Sequence, residues 1–158
     1  MVWAAIGLNY KSKLYFINKS LNEDGNIEML NELINFNELN KKYTKWNYYF
    51  QQDNETCHTT KKSILFFSSK AHILYGWPPN SPDLSPIENV WVIMKNSLED
   101  EENHPTDKDS LKQLVQKAYD SITINLINSL LFSFEYRIKM CYDIGGKTIA
   151  HFLRKKFH

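Results

Sequence analysis

The chain has 158 residues, a formal net charge of +1 and 42% hydrophobic residues. This composition is typical of a globular protein and excludes an intrinsically disordered one. The near-neutral charge excludes recognition of a polyanion by overall charge, and no segment reaches the ~20 apolar residues of a membrane span, so we expect a soluble, intracellular protein without a membrane partner.

The N-terminal half predicts strands followed by a helix. Residues 2–8 and 13–17 are apolar, β-prone runs, and residues 9–12 between them are suited to a hairpin turn. Residues 22–36 carry apolar side chains at helical spacing, and the aromatic run at residues 46–52 predicts another strand. Strand and helix therefore alternate.

The C-terminal half predicts mainly helices. A short helix at residues 59–68 and a strand at 71–75 precede a proline-rich segment. Helical patterns follow at residues 87–98 and 111–122, with a break near Thr123 and a further helical pattern beyond it, while the acidic stretch before Asp109 predicts a loop. The order of elements indicates one α/β domain over residues 1–158, with a sheet covered by helices.

The proline-rich segment, GWPPNSPDLSPIENVW at residues 76–91, ends in a helix start. Ser85 suits the N-cap, Pro86 the first helical position and Glu88 the third, where it would bond back to the cap. Considered alone, this pattern favours a capping role for Glu88 over a chemical one.

A second polar cluster, QQDNETCH at residues 51–58, follows the aromatic strand. Sites in α/β folds tend to form at strand ends, so Asp53 is a candidate functional acid. The alternative is a local turn made by Asp53, with Cys57 and His58 packing at the start of the next helix. Adjacent residues seldom face each other, which argues against Cys57 and His58 as a nucleophile and base.

Two further features have plain structural interpretations. Cys57 and Cys141 lack the spacing of a zinc site or a disulfide framework, so both are expected to be free thiols in a reducing compartment. The sequence GGKT at residues 145–148 lacks the earlier glycine of a phosphate-binding loop and predicts a helix C-terminus instead.

Asp53 and Glu88 are separated by 34 residues, and the two motifs together resemble the catalytic domain of Tc1/mariner-type transposases, in its Tc1-like branch. Residues 2–6 (VWAAI) and 137–148 (RIKMCYDIGGKT) are also similar to that family. The resemblance implies an RNase H-like fold with a mixed sheet and flanking helices. It also implies that Asp53 and Glu88 are the second and third acids of a D, D, E triad, catalytic residues that bind two Mg²⁺ or Mn²⁺ ions.

The chain departs from the family pattern at its start. Family members carry the first acid on a strand upstream of the VWAAI segment, and here Met1 stands directly before that segment. We therefore expect the first catalytic Asp, the first strand of the sheet and the N-terminal DNA-recognition region to be missing. Asp24, expected in a loop, and Asp83, within the proline segment, are the nearest spare acids, and neither is expected to replace the first Asp.

The resemblance predicts a DNA transposase domain for cleavage and strand transfer, inactive as this fragment. Its partners would be transposon ends and target DNA, with a homodimer as a further expectation, in the nucleus if the source is eukaryotic. An alternative is a non-catalytic remnant that binds DNA or itself, supported by the basic side chains between Arg137 and Lys156. A decayed fragment without a settled function is the third interpretation.

Overall fold

The computed structural model describes residues 1–18, 22–43, 48–53, 55–74, 76–99 and 105–149. Two compact units are present: residues 1–3 with 15–80, and residues 4–14 with 81–158. This grouping does not test the prediction of one catalytic domain. No helix within the described ranges is long and apolar enough to span a membrane. In chain order the elements are β1 (Val2–Trp3), β2 (Ile6–Gly7), β3 (Tyr10–Lys11), β4 (Tyr15–Phe16), α1 (Glu23–Leu33), α2 (Phe36–Tyr43), β5 (Tyr49–Phe50), α3 (Thr56–Thr59), α4 (Lys61–Lys70), β6 (His72–Ile73), α5 (Pro86–Glu99), α6 (Lys108–Ser121) and α7 (Ile124–Asp143).

The N-terminal strands are shorter than predicted and their turn is tighter. In the first unit β1 pairs antiparallel with β4, and in the second β2 pairs antiparallel with β3. The turn between β2 and β3 contains only Leu8 and Asn9, so the prediction of a turn over residues 9–12 is wrong. Asn9 adopts φ 54°, a left-handed conformation that asparagine tolerates.

In the first unit, the predicted helix over residues 22–36 is α1, which ends three residues early, and α2 follows it almost entirely beyond the predicted range. Helix α1 ends at Leu33 because Ile34 is extended, and the Asn35 side chain then accepts the Glu38 N–H at 3.2 Å and starts α2. Met29, Leu30 and Ile34 are buried as an apolar face should be. The fully buried Asn26 shares that face, and its side-chain amide has no hydrogen-bond partner within the described ranges.

An aromatic cluster joins the parallel strands of the first unit to its helices. Strands β5 and β6 pair parallel, with Phe50 opposite Ile73. Phe50 stacks on Phe67 of α4 with ring centroids 4.9 Å apart, and Phe36 and Phe66 meet the same cluster at tilted or edge-on angles. These rings bury much of the apolar surface around β5 and hold it against α4.

Three helices pack together in the second unit. Helix α5 contacts both α6 and α7, and Val90, Tyr119 and Ile127 are almost fully buried. Thr123 caps α7 by accepting the Leu126 N–H, which confirms the predicted break. Helix α6 begins at Lys108, inside the stretch predicted to be a loop, because Asp107 and Ser110 form a reciprocal capping box.

Two glycines end α7, and Asp83 of the proline segment holds the chain that follows. Gly145 and Gly146 have positive φ and close the helix with bonds to the Tyr142 and Cys141 carbonyls, which confirms the predicted stop as a Schellman motif. Asp83 Oδ2 then accepts the Thr148 hydroxyl and the Ile149 N–H, each at 2.7 Å. The chain beyond the helix is thereby held on the proline segment.

Tyr119 predicts a loss of stability at alkaline pH. Its hydroxyl donates to the Ser12 carbonyl at 2.9 Å, and burial raises the pKa of Tyr119 from 10.0 to about 12. Unfolded tyrosine therefore loses its proton first as pH rises above 10, so this contribution is complete below pH 10 and is lost toward pH 12. At about 1.4 kcal/mol for each pKa unit, we expect a loss of roughly 2–3 kcal/mol in urea melts across that range.

The matched control is Tyr119→Phe. It lacks the ionisable hydroxyl, so its stability should fall less than that of the wild type between pH 10 and 12. Parallel pH profiles for the two proteins would contradict the prediction.

Removal of the Asp83 carboxylate should destabilise the second unit. Asp83→Ala leaves the Thr148 hydroxyl and the Ile149 N–H without their acceptor, and we expect a loss of about 1.5–3 kcal/mol in denaturant melts. Asp143→Ala is the control, because its pair with Lys139 lies on the surface and should contribute at most about 1 kcal/mol. Equal effects of the two substitutions would show that the Asp83 contacts add nothing specific.

Candidate functional site

Asp53 lies three residues beyond the parallel strand β5, at its carboxyl end. The strand position predicted for it is therefore confirmed. The side chain is 65% exposed, so the carboxylate can be reached by an ion from solvent. The aromatic contacts of Phe50 fix the strand, and through it the place where Asp53 leaves the sheet.

Within the described ranges, two groups contact the Asp53 carboxylate, both at Oδ1. The Glu55 N–H lies 3.4 Å away, at the long end of hydrogen-bond distances, and is the local turn contact expected as an alternative role for Asp53. His58 Nδ1 lies 2.7 Å away, and its ring is only 14% exposed. His58 therefore faces the acid instead of merely packing in α3.

The short helix α3 carries both Cys57 and His58. It ends at Thr59, and the next residue, Thr60, has an extended backbone and caps α4 by accepting the Ser63 N–H at 3.2 Å. The helix predicted for residues 59–68 is α4, which begins and ends two residues later, and α3 before it was not predicted. The cap at Thr60 sets the break.

Both cysteines are free thiols, as predicted, and Cys57 is poorly suited to nucleophilic chemistry. Burial, together with the negative charge of Glu55, raises the pKa of Cys57, so the reactive thiolate is disfavoured. Cys141 lines an apolar pocket of about 370 Å³ beside Leu84 and Tyr142.

Glu88 lies in the first turn of α5, which begins at Pro86 as predicted. Its side chain is exposed. The positive end of the helix dipole favours a negative charge at this position. Ser85, just before the helix, is buried, and its carbonyl accepts from the Asn89 side chain at 3.2 Å. The reciprocal bond between Ser85 and Glu88 stays a prediction.

The candidate acids are distributed between the two compact units, with Asp53 in the first and Glu88 in the second. Each carboxylate supplies the hard oxygen ligands that Mg²⁺ and Mn²⁺ prefer. Among the residues whose positions are described, no three or more Asp, Glu, His or Cys side chains lie close enough together to hold a metal ion.

The two spare acids are engaged elsewhere. Asp24 lies inside α1, contrary to the expected loop, and forms an exposed ion pair with Lys62. Asp83 accepts from Thr148 and Ile149, so its carboxylate serves the end of α7. These contacts agree with the expectation that neither replaces a first catalytic Asp.

Arg137 does not belong to an exposed basic surface. It is 2% exposed and donates to the carbonyls of Asp83 and Leu130, each at 3.2 Å. Burial lowers the pKa of Arg137, and the nearby charge of Asp83 opposes that shift. Lys139 pairs with Asp143, while Lys147 is exposed. Arg154, Lys155 and Lys156 lie outside the described residues.

The contact of His58 with Asp53 was missed as a feature of the site. Their separation of five residues across a turn gives no periodic signal, because it depends on where α3 begins. Knowledge that α3 starts at Thr56 would have revealed it, since His58 then lies on the helix turn that follows Asp53.

Comparison with known proteins identifies the family. Residues 1–112 match the model of the DDE superfamily endonucleases. The Tc3 transposase of Caenorhabditis elegans is 32% identical over 152 residues, which are 96% of this chain and 45% of that protein. The Tc1 transposase of the same organism is 30% identical over 97 residues, covering 61% of this chain and 35% of its own length. The chain thus spans less than half of these relatives.

Solved structures with the same fold include two of the Mos1 transposase catalytic domain. One, with Raltegravir and Mn, has a TM-score of 0.69 at 16% identity, covering 94% of this chain and 82% of that one. The other, described as the catalytic domain of Mos1 mariner transposase, has a TM-score of 0.71 at 14% identity, covering 94% and 81%. These similarities confirm the predicted RNase H-like fold. The chain belongs to the DDE superfamily endonucleases, as a catalytic domain of the Tc1/mariner transposase type.

Proposed function

We propose that this chain contributes two metal-binding acids, Asp53 and Glu88, to a transposase catalytic centre that cleaves DNA and transfers its strands. The observation that carries the proposal is the place of Asp53 at the carboxyl end of a parallel strand, in a chain that belongs to this family. Glu88 supports it, at the start of a helix and at the spacing that the family motif requires.

Asp53 would hold a metal ion through its carboxylate. Both recorded contacts engage Oδ1, and Oδ2 has no partner among the residues that the structure describes. An exposed carboxylate with one oxygen restrained and the other available suits a hard cation that keeps several water ligands. Because strand β5 is ordered, its end limits the movement of the Asp53 carboxylate.

Glu88 would supply a second carboxylate from a rigid element. The first turn of a 14-residue helix fixes its backbone, and the helix dipole stabilises its charged form. Glutamine would cap equally well, so the features that favour an acid here are the helix dipole and a bound metal ion. The capping and metal-binding interpretations of this position are compatible.

The donor chemistry of both acids fits divalent Mg²⁺ or Mn²⁺. When bound, two such ions would activate a water or a 3′-hydroxyl and stabilise the leaving oxygen in phosphodiester exchange. The protein's part is to present carboxylate oxygens from ordered backbone and to orient them toward the ions.

Cleavage by the 158-residue chain alone should be weak or absent. The chain carries counterparts of the second and third family acids. Two carboxylates alone bind a metal ion weakly and position it imprecisely. We expect no plasmid nicking above background with Mn²⁺ in a supercoiled-plasmid assay. Mn²⁺-dependent nicking that is abolished by Glu88→Gln, but kept by Glu99→Gln at the far end of the same helix, would contradict this expectation.

DNA is the partner that we propose, as transposon ends and target sites, with self-association into a homodimer as a further prediction. Phosphate contacts would come from exposed lysines, of which Lys147 follows the Schellman motif of α7 and has no ion-pair partner among the described residues. Lys139 is different because Asp143 already neutralises it.

Binding should therefore weaken steeply with salt. Each phosphate contact changes the slope of log K against log salt by about −0.9 in duplex DNA. We expect Lys147→Ala to reduce the magnitude of that slope by about 0.9, the value for one phosphate contact, in fluorescence anisotropy titrations. Lys139→Ala is the control and should change it less. Salt-insensitive binding, or equal effects of both substitutions, would count against this assignment.

A non-catalytic remnant that binds DNA or itself is the alternative function. It shares the fold and the salt-dependent DNA binding, and it differs in having no use for metal at Asp53. Mn²⁺ affinity that is unchanged in Asp53→Asn would favour this alternative.

A further inference from the structure

The closest contact of the Asp53 carboxylate comes from a side chain with no assigned role. His58 Nδ1 lies 2.7 Å from Asp53 Oδ1, well within hydrogen-bond distance. The histidine is 14% exposed and the aspartate 65%, so a largely buried group restrains an exposed one. An ionised carboxylate can only accept, so the proton of this bond belongs to Nδ1.

His58 is itself held by the contacts of α3. Its backbone N–H donates to the Glu55 carbonyl at 2.9 Å. The Ser63 hydroxyl donates to the Cys57 carbonyl at 2.7 Å, and the Thr60 hydroxyl donates to Glu23 of α1. Helix α3 also packs against both α1 and α4. The imidazole is therefore presented from a helix that neighbouring elements fix on two sides.

We propose that His58 is a positioning residue for Asp53: its Nδ1–H holds Oδ1 and thereby orients Oδ2 as the oxygen that binds metal. This inference rests on the proposed function, since it concerns the same acid. It goes beyond that function by assigning one carboxylate oxygen to the ion and the other to a protein donor.

The other neighbours of Asp53 do not replace His58 in this role. The Glu55 N–H is 3.4 Å away and offers a weak restraint. The Cys57 thiol is a poor donor, and its pKa is raised, first by burial and then by Glu55. Without His58 the exposed carboxylate would rotate freely, and metal binding would have to order it.

Groups that orient a metal ligand typically change metal affinity 10–100-fold when they are removed. We therefore expect His58→Ala to weaken Mn²⁺ binding to the purified 158-residue chain about 10–100-fold, measured by electron paramagnetic resonance of free Mn²⁺. His58→Asn should recover most of the affinity, because its amide can donate from nearly the position of Nδ1. The double variant with Asp53→Asn should lose no more than Asp53→Asn alone.

His72→Ala is the matched control, since His72 lies in the same unit on β6 and contacts Tyr49. It should leave Mn²⁺ affinity unchanged. Thermal melts of every variant identify any loss of Mn²⁺ binding that comes from unfolding.

A second measurement needs no metal. ¹⁵N NMR of the imidazole should show the proton of His58 on Nδ1 in the wild type, and the Nδ1 signal should change in Asp53→Asn.

The outcomes separate the inference from the proposed function. If Asp53→Asn weakens Mn²⁺ binding but a folded His58→Ala does not, the positioning role is wrong and the function stands. A His58 ring protonated only at Nε2 would also overturn the inference. If Asp53→Asn binds Mn²⁺ as tightly as the wild type, Asp53 is not a ligand, and the proposed function fails together with the inference.

Discussion

The stacking of Phe50 on Phe67 is the interaction on which the candidate site depends. Strand β5 has only two residues in regular pairing with β6, too few to define a strand end by backbone hydrogen bonds alone. The ring contact with α4, reinforced by Phe36 and Phe66, removes large apolar surfaces from water and fixes the strand against the helices. Asp53 inherits its position from that packing, because it follows the strand by three residues.

In the second unit, polar contacts hold the proline segment in place. Arg137 is buried among the helices and donates to two backbone carbonyls, one of them that of Asp83. The carboxylate of the same Asp83 accepts from Thr148 and Ile149. The proline segment is thus joined to α7 through the Asp83 carbonyl and to the chain after α7 through the Asp83 carboxylate. These contacts explain an acid at position 83 by structure.

The same physical logic distinguishes the acids of the chain. Asp83 accepts from Thr148 and Ile149, Asp107 caps α6, and Asp24 pairs with a surface lysine. Asp53 differs because it is exposed at a strand end while a largely buried histidine restrains one of its oxygens. A carboxylate with one restrained oxygen contributes little to folding, and it is well prepared for a ligand. That contrast supports a functional role for Asp53.

Local patterns in the sequence determined the elements that depend on neighbours in the chain. The stop at Gly145 and Gly146, the break at Thr123 and the start of α5 at Pro86 were all predicted, because caps and glycine conformations involve residues a few positions apart. Two spaced motifs were sufficient to predict the family and the RNase H-like fold. The end of α1 at Leu33 and the helix α2 after it were not predicted, since the apolar spacing continued through Ile34.

Only the tertiary structure decided which side chains are buried and what they contact. Asn26 lies in an apolar face, Arg137 lies inside the second unit although it looked like part of a basic surface, and His58 meets Asp53. The burial of Asn26 and Arg137 depends on how helices pack against other elements, and the contact of His58 with Asp53 depends on where α3 begins. Helical or strand periodicity carries no information about either. The sequence by itself therefore determined the family, the helix ends that local caps define and the two candidate acids. The folded structure decided how Asp53 is held and which polar side chains are buried, because these contacts exist only in the folded chain.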